Sequence, residues 1–307
     1  MKNGINEMEH ALPSSPMATV IAAVKTVFRG VGQVFFQENA LTGACFTLGI
    51  ALSSPPMAVA AVVGSAIGAA TARALNFDRS ALLAGVYGFN SALVGIAALF
   101  FFQLGAASIT LLVLSCVAAT LLARLAQRYV PFPTYTLAFI LTTWALYFLG
   151  VALDLPQVEA VAGPKTDSLL AAIVRGVGQV KFQANAGTGL LFLLGIAFNN
   201  WRHAVWVLMA SILSVLGAVF HNAPTEGIAL GLYGYNAPLT ALALFLWRPS
   251  LIAPLLGILL SIPITEYVPM LGLPALTVPF VLTTWLVLAL GWLERRLFGS
   301  TGGTSSP

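Results

Sequence analysis

Charge is what this sequence has least of. Only 8% of its 307 residues are Asp, Glu, Lys or Arg, against roughly 25% in soluble domains, which excludes an ordinary water-solvated surface. Its two cysteines, Cys45 and Cys116, both lie in apolar stretches, so a disulfide framework is excluded and both read as packing residues. The three histidines, His10, His203 and His221, fall at unrelated positions; this argues against a metal centre and against a histidine-lined ammonium path. No Walker loop, HExxH or nucleophile elbow occurs in its structural context, so neither an enzyme nor a cofactor is expected. The net charge of +4 is scattered at the ends of apolar segments, a pattern explained by membrane topology rather than nucleic acid. The opening residues 1–16 lack the basic-then-apolar order of a secretory signal and include Glu7, Glu9 and His10; they read as a disordered tail.

What is present is apolar: 59% of residues are hydrophobic. At about 20 residues per span, an all-helical integral membrane protein with roughly ten spanning helices is expected.

The chain is also written twice. Arg29 to Gly43 (RGVGQVFFQENALTG) returns 146 positions later as RGVGQVKFQANAGTG, with twelve of fifteen residues identical. Gly85 to Leu93 (GVYGFNSAL) matches Gly231 to Leu239 (GLYGYNAPL) at the same offset, and Thr136 to Trp144 (TLAFILTTW) matches Thr277 to Trp285 (TVPFVLTTW) at offset 141. Such self-similarity marks a duplicated unit. The expected division is a first membrane repeat at 17–152, an acidic linker at 153–167, a second repeat at 168–298 and a flexible tail at 299–307. In each repeat a short piece broken by glycines, around 81–90 in the first copy, reads as a re-entrant half-helix, tolerated only where it lines a protected cavity. Five spans plus one re-entrant piece per copy is an odd count, which implies inverted topology and a site at the repeat interface near the midplane. Lys25, Arg29, Arg295 and Arg296 near the ends favour cytoplasmic termini.

Residues paired by the repeat are the candidates for the site. Gln33 and Phe36, answered by Gln179 and Phe182, are three apart and share a helical face; a buried Gln that simply joins helices is the competing reading. Phe89 with Leu93, and Tyr235 with Leu239, follow the broken pieces, where ordinary packing competes with pore lining. Thr136 and Thr277 follow Pro133 and Pro274, where helices restart, and each could instead bond back to its own helix. Arg29 and Arg175 lie near helix ends and are expected to snorkel. Glu226 and Glu266 are expected in polar turns.

RGVGQVxFQ with NAxTG, the paired GxYGxN segments and the TVPFVLTTW block together resemble the urea transporter family, over nearly the whole chain and in both halves. The resemblance implies a plasma-membrane homotrimer in lipid whose protomers each hold a narrow slot for passive urea flux. It also implies roles: Gln33 and Gln179 as edge acceptors; Phe36, Phe89, Leu93, Phe182, Tyr235 and Leu239 as flat walls; Thr136 and Thr277 as the central constriction. Two departures stand out. Ala138 replaces the proline at Pro279, expected to loosen a half-helix start, and Lys181 replaces Phe35, expected to put a charge near one mouth. The alternative is an ion-coupled transporter of a small polar solute.

Overall fold

The computed structural model describes residues 15–159 and 168–298; the expected end tails, apart from Ser15 and Pro16, and the later part of the linker lie outside them. Among the described residues every regular element is helical, save one isolated bridge between Phe102 and Gln157. In the first copy these are α1 (Pro16–Gly32), α2 (Ala40–Ser53), α3 (Pro55–Ala74), α4 (Arg79–Leu83), α5 (Phe89–Phe101), α6 (Ala106–Tyr129) and α7 (Leu137–Ala152). The second copy repeats the order as α8 (Leu169–Gln179), α9 (Ala186–Asn199), α10 (Trp201–Phe220), α11 (Thr225–Ala229), α12 (Asn236–Trp247), α13 (Ile252–Tyr267) and α14 (Val278–Phe298).

Local chemistry sets these boundaries. Asn39 caps α2 by accepting from the Leu41 and Thr42 N–H groups, and Asn185 caps α9 by accepting from Thr188 N–H, each satisfying donors that a helix start leaves free. Pro55 and Pro56 open α3 behind a Ser54 cap, because a proline in the first turn lacks only an N–H that would have no partner there. Asp78 caps α4, and the hydrogen bonds it accepts from Ala81 N–H and the Ser80 hydroxyl hold its carboxyl below its usual range.

Six helical stretches among the described residues, each of at least 20 residues, are long and apolar enough to cross a membrane, and six shorter apolar helices accompany them. A 14-residue helix such as α2 rises about 21 Å, short of the roughly 30 Å hydrocarbon core. Apolar side chains such as Leu114, Phe148, Leu208 and Leu259 face outward, and Tyr129, Trp201, Trp247 and Tyr267 are exposed at helix ends, the placement of a membrane-interface belt. The expected linker begins as a bound strap: Gln103 N–H donates to Pro156 O and Val158 N–H to Phe101 O.

The two copies meet through equivalent residues. The Thr42 hydroxyl donates to Gly195 O at 2.8 Å, and the Thr188 hydroxyl to Gly49 O at 2.6 Å. Phe46 and Phe192 pack with ring centroids 4.9 Å apart. Trp144 Nε1 donates to Pro274 O and Trp285 Nε1 to Pro133 O. The largest buried cluster draws on both copies, from Val31 and Phe46 to Phe192 and Phe280.

Lys181 corrects one expectation. It lies at no mouth but is wholly buried, donating to Val31 O at 2.9 Å with Nζ 3.8 Å from the Phe46 ring centroid and 5.0 Å from that of Phe192. Phe35, its counterpart, packs on the same two rings. An ammonium can stand where a phenyl ring stands because aromatic faces attract cations and one carbonyl accepts a hydrogen bond from it.

Candidate transport site

The repeated motif first builds a clamp. Arg29 Nη1 donates to Leu83 O at 3.0 Å and Gln33 Nε2 to Ala84 O at 2.9 Å; in the other copy Arg175 Nη1 donates to Ala229 O and Gln179 Nε2 to Leu230 O. The arginines therefore do not snorkel. They grip the C-terminal carbonyls of the five-residue helices α4 and α11, where the backbone has acceptors without helical partners and a cation is favoured.

Glycine permits the grip. Gly85 and Gly231 follow these short helices with φ of +82° and +78°, a region costly for other residues. A Cβ on Gly30 would come 3.1 Å from Gly88 Cα, and one on Gly176 2.8 Å from Gly234 Cα. Backbone thus lies against backbone beside each broken piece.

Because Ala84 O and Leu230 O can only accept, both glutamines turn their NH₂ groups toward them. Each leaves its Oε1 as an acceptor facing away from the clamp. The next candidates sit just beyond. Phe36 and Phe182 adopt left-handed backbone, φ 57° and 60°, which swings their rings out of the helical line. Phe36 meets Phe280 of the other copy edge-on at 6.2 Å, and Phe182 meets Phe139 of the other copy edge-on at 6.2 Å.

Gln179, Phe182, Tyr235 and Thr277 come together in the wall of a cavity of about 490 Å³, with Phe100, Phe139 and Glu266. The Thr277 hydroxyl lies 2.7 Å from that of Thr136, and both residues are buried. Equivalent residues of the two copies therefore share one hydrogen bond. Phe36 lies apart from this cavity, against Tyr135 and Phe280. Phe89 opens α5 as a partly buried ring against the main core. Leu93 and Leu239 are wholly buried in that core and are not in the wall of the cavity.

A chain that pairs itself in this way around a polar-edged aromatic cavity can be compared with known proteins. A family model described as urea transporter matches residues 24–291. The chain belongs to the urea transporter family. Urea transporter 1 of Capra hircus is 29% identical over 314 residues, covering 93% of this chain and 81% of that protein. Urea transporter 1 of Rattus norvegicus is 28% identical over 319 residues, with the same coverage. As a member of this family the chain is a multi-pass membrane transport protein and not an enzyme.

Several residues of this urea transporter fold were not singled out from sequence. Asn90 Oδ1 accepts from Phe139 N–H at 3.0 Å and Asn236 Oδ1 from Phe280 N–H at 3.2 Å, holding the starts of α7 and α14. For this reason Ala138 does not loosen its helix: α7 and α14 begin at equivalent residues, Leu137 and Val278. Both asparagines end the GxYGxN segments, so their identity in both copies was the available signal. Glu266 was expected in a polar turn; it ends α13, with Oε2 3.3 Å from His221 Nδ1.

Proposed function

We propose that the protein conducts urea passively through a slot between its two copies, at the level where Thr136 meets Thr277. That meeting of equivalent hydroxyls beside an aromatic cavity is the observation that carries the reading. Urea is flat and neutral, with four N–H donors around one carbonyl, and leaving those donors unpaired costs several kcal/mol. Acceptors at Gln33 and Gln179 replace water at the two approaches. The Thr136 and Thr277 hydroxyls, able to donate or accept, exchange their mutual bond for bonds to the solute in the narrow part.

The walls act by shape. Rings at Phe36, Phe89, Phe182 and Tyr235, with Leu93 and Leu239 behind them, hold a planar solute edge-on to the acceptors and offer an ion nothing in place of its hydration shell. The reciprocal contacts between copies support an inverted two-fold arrangement of repeats 17–152 and 168–298, with α4 and α11 as re-entrant pieces. Ten spans follow if two of the three shorter apolar helices in each copy cross the bilayer together with the six long stretches. Assembly as a homotrimer in the plasma membrane, each protomer with its own path and both termini cytoplasmic, completes the proposal; the family resemblance supports the trimer and the basic residues near the ends support the orientation.

Radiolabelled urea uptake into proteoliposomes tests it. The expected result is uptake well above that of empty liposomes and unchanged by imposed proton or sodium gradients. Uptake at the empty-liposome rate would sink the channel, and uptake that follows a gradient would favour ion coupling.

A further inference from the structure

We propose that Glu266 makes the cavity beside Gln179 a docking site for small planar N–H cations of the guanidinium type, which plug that approach without passing it. Glu266 is the one charged side chain among the described residues that line this cavity. Its Oε2 lies 3.3 Å from His221 Nδ1, while Oε1 is buried with no hydrogen-bond partner. A buried acceptor left unpaired is costly; the Glu266 side chain is partly exposed in the cavity wall, so a small turn of the carboxylate brings Oε1 to a donor supplied by the cavity's occupant.

The surroundings favour a flat cation. Phe100, Phe182, Tyr233 and Tyr235 supply aromatic surface in the same walls, and ring faces attract guanidinium groups. The free Oε1 of Gln179 is a second acceptor. Among the described residues no Lys or Arg lines the cavity, and the nearby Thr265 hydroxyl is already donating to Ser261 O, so none of them neutralises the carboxylate from within. His221 touches only Oε2. Carboxylate and guanidinium then pair through charge-assisted hydrogen bonds.

Passage stops further in. The Thr136 and Thr277 hydroxyls cannot neutralise a cation that leaves its carboxylate, and desolvating an unpaired charge is prohibitive. The site is also one-sided. Over 106–133, the first copy's match to α13 and the turn after it, there is no acid, and the charges are Arg124 and Arg128.

This inference rests on the urea-channel reading for its flux readout, so its test carries a second readout that does not. Urea flux into proteoliposomes holding the full chain is titrated with methylguanidinium, each variant normalised to its own uninhibited flux. The half-inhibiting concentration is expected to rise roughly tenfold in Glu266→Gln, as loss of one charge-assisted pair implies. Glu226→Gln, whose acid lies on α11 outside the cavity wall, should leave it unchanged. In parallel, saturation-transfer NMR on the methyl signal reads binding to the purified protein whether or not urea flows. A signal in the wild type that is lost in Glu266→Gln sustains the site even if urea flux is absent. No wild-type signal, or equal signal and equal inhibition in Glu266→Gln, overturns it.

Discussion

Lys181 allows the packing between the two copies to be tested by magnitude as well as direction. Its ammonium donates to Val31 O at 2.9 Å and stands 3.8 Å from the Phe46 ring centroid, with no water-exposed surface. Lys181→Met keeps the unbranched stem and removes the charge. It forfeits a charge-assisted hydrogen bond of about 1.5–3 kcal/mol and a desolvated cation–π contact of about 2 kcal/mol. It also relieves a desolvation penalty of several kcal/mol, so the net change should stay within about 1.5 kcal/mol of zero. Lys181→Ala shares those terms but also empties the slot. Losing about three buried methylenes at about 0.8 kcal/mol each, plus a cavity term, should leave Ala below Met by about 2–4 kcal/mol. Heat unfolding of purified protein in detergent, followed by circular dichroism, should then separate the two variants by roughly 3–6 °C. A lysine at a solvated mouth would give two variants within about 0.5 kcal/mol of each other; that coincidence would refute the buried placement.

Other consequences are equally open to measurement. Gln33→Leu and Thr136→Val each remove one acceptor from the path, so urea flux should fall about three- to tenfold in each, as the loss of a hydrogen bond of about 0.5–1.5 kcal/mol implies; unchanged rates in both would remove these residues from the path. Gly85→Ala places a Cβ 2.4 Å from Gly30 N at a φ of +82° and should cost more than about 2 kcal/mol in heat unfolding; a loss below about 0.5 kcal/mol would contradict the clamped turn. Asn90→Ala leaves the buried Phe139 N–H without its acceptor and should cost about 1–3 kcal/mol, which an undisturbed melting temperature would deny.

The duplicated motif was legible because repetition selects residues that two copies need alike. Arg29, Gly30, Gln33, Phe36, Asn39 and Thr42 recur, and each has a contact that recurs with it, from clamp to cap to cross-copy bond. What the letters could not convey was depth. Lys181 and the two motif arginines were expected near water because cations usually stand there. Their true surroundings, ring faces and free carbonyls, come from elements tens of residues away. Leu93 and Leu239 stand one turn from Phe89 and Tyr235 and are wholly buried, a depth that their spacing alone does not convey. Glu266 was expected in a polar turn; that one of its oxygens is left without a partner is a matter of three-dimensional crowding. Helix length was legible only in part, since the short helices α2 and α9 reach useful depth by packing on each other rather than by running for 20 residues.

The placement of the path between Thr136 and Thr277 can be tested most directly by plugging it. In a chain with Cys45 and Cys116 replaced by Ala, Thr136→Cys would supply a single thiol beside the Thr277 hydroxyl, and reconstituted urea flux would be measured before and after reaction with a small membrane-permeant methanethiosulfonate. Flux should fall to the empty-liposome rate on modification, be restored by reducing agent, and be protected by high urea during labelling. A fully modified protein that still conducts urea at its unmodified rate would contradict a path through this point.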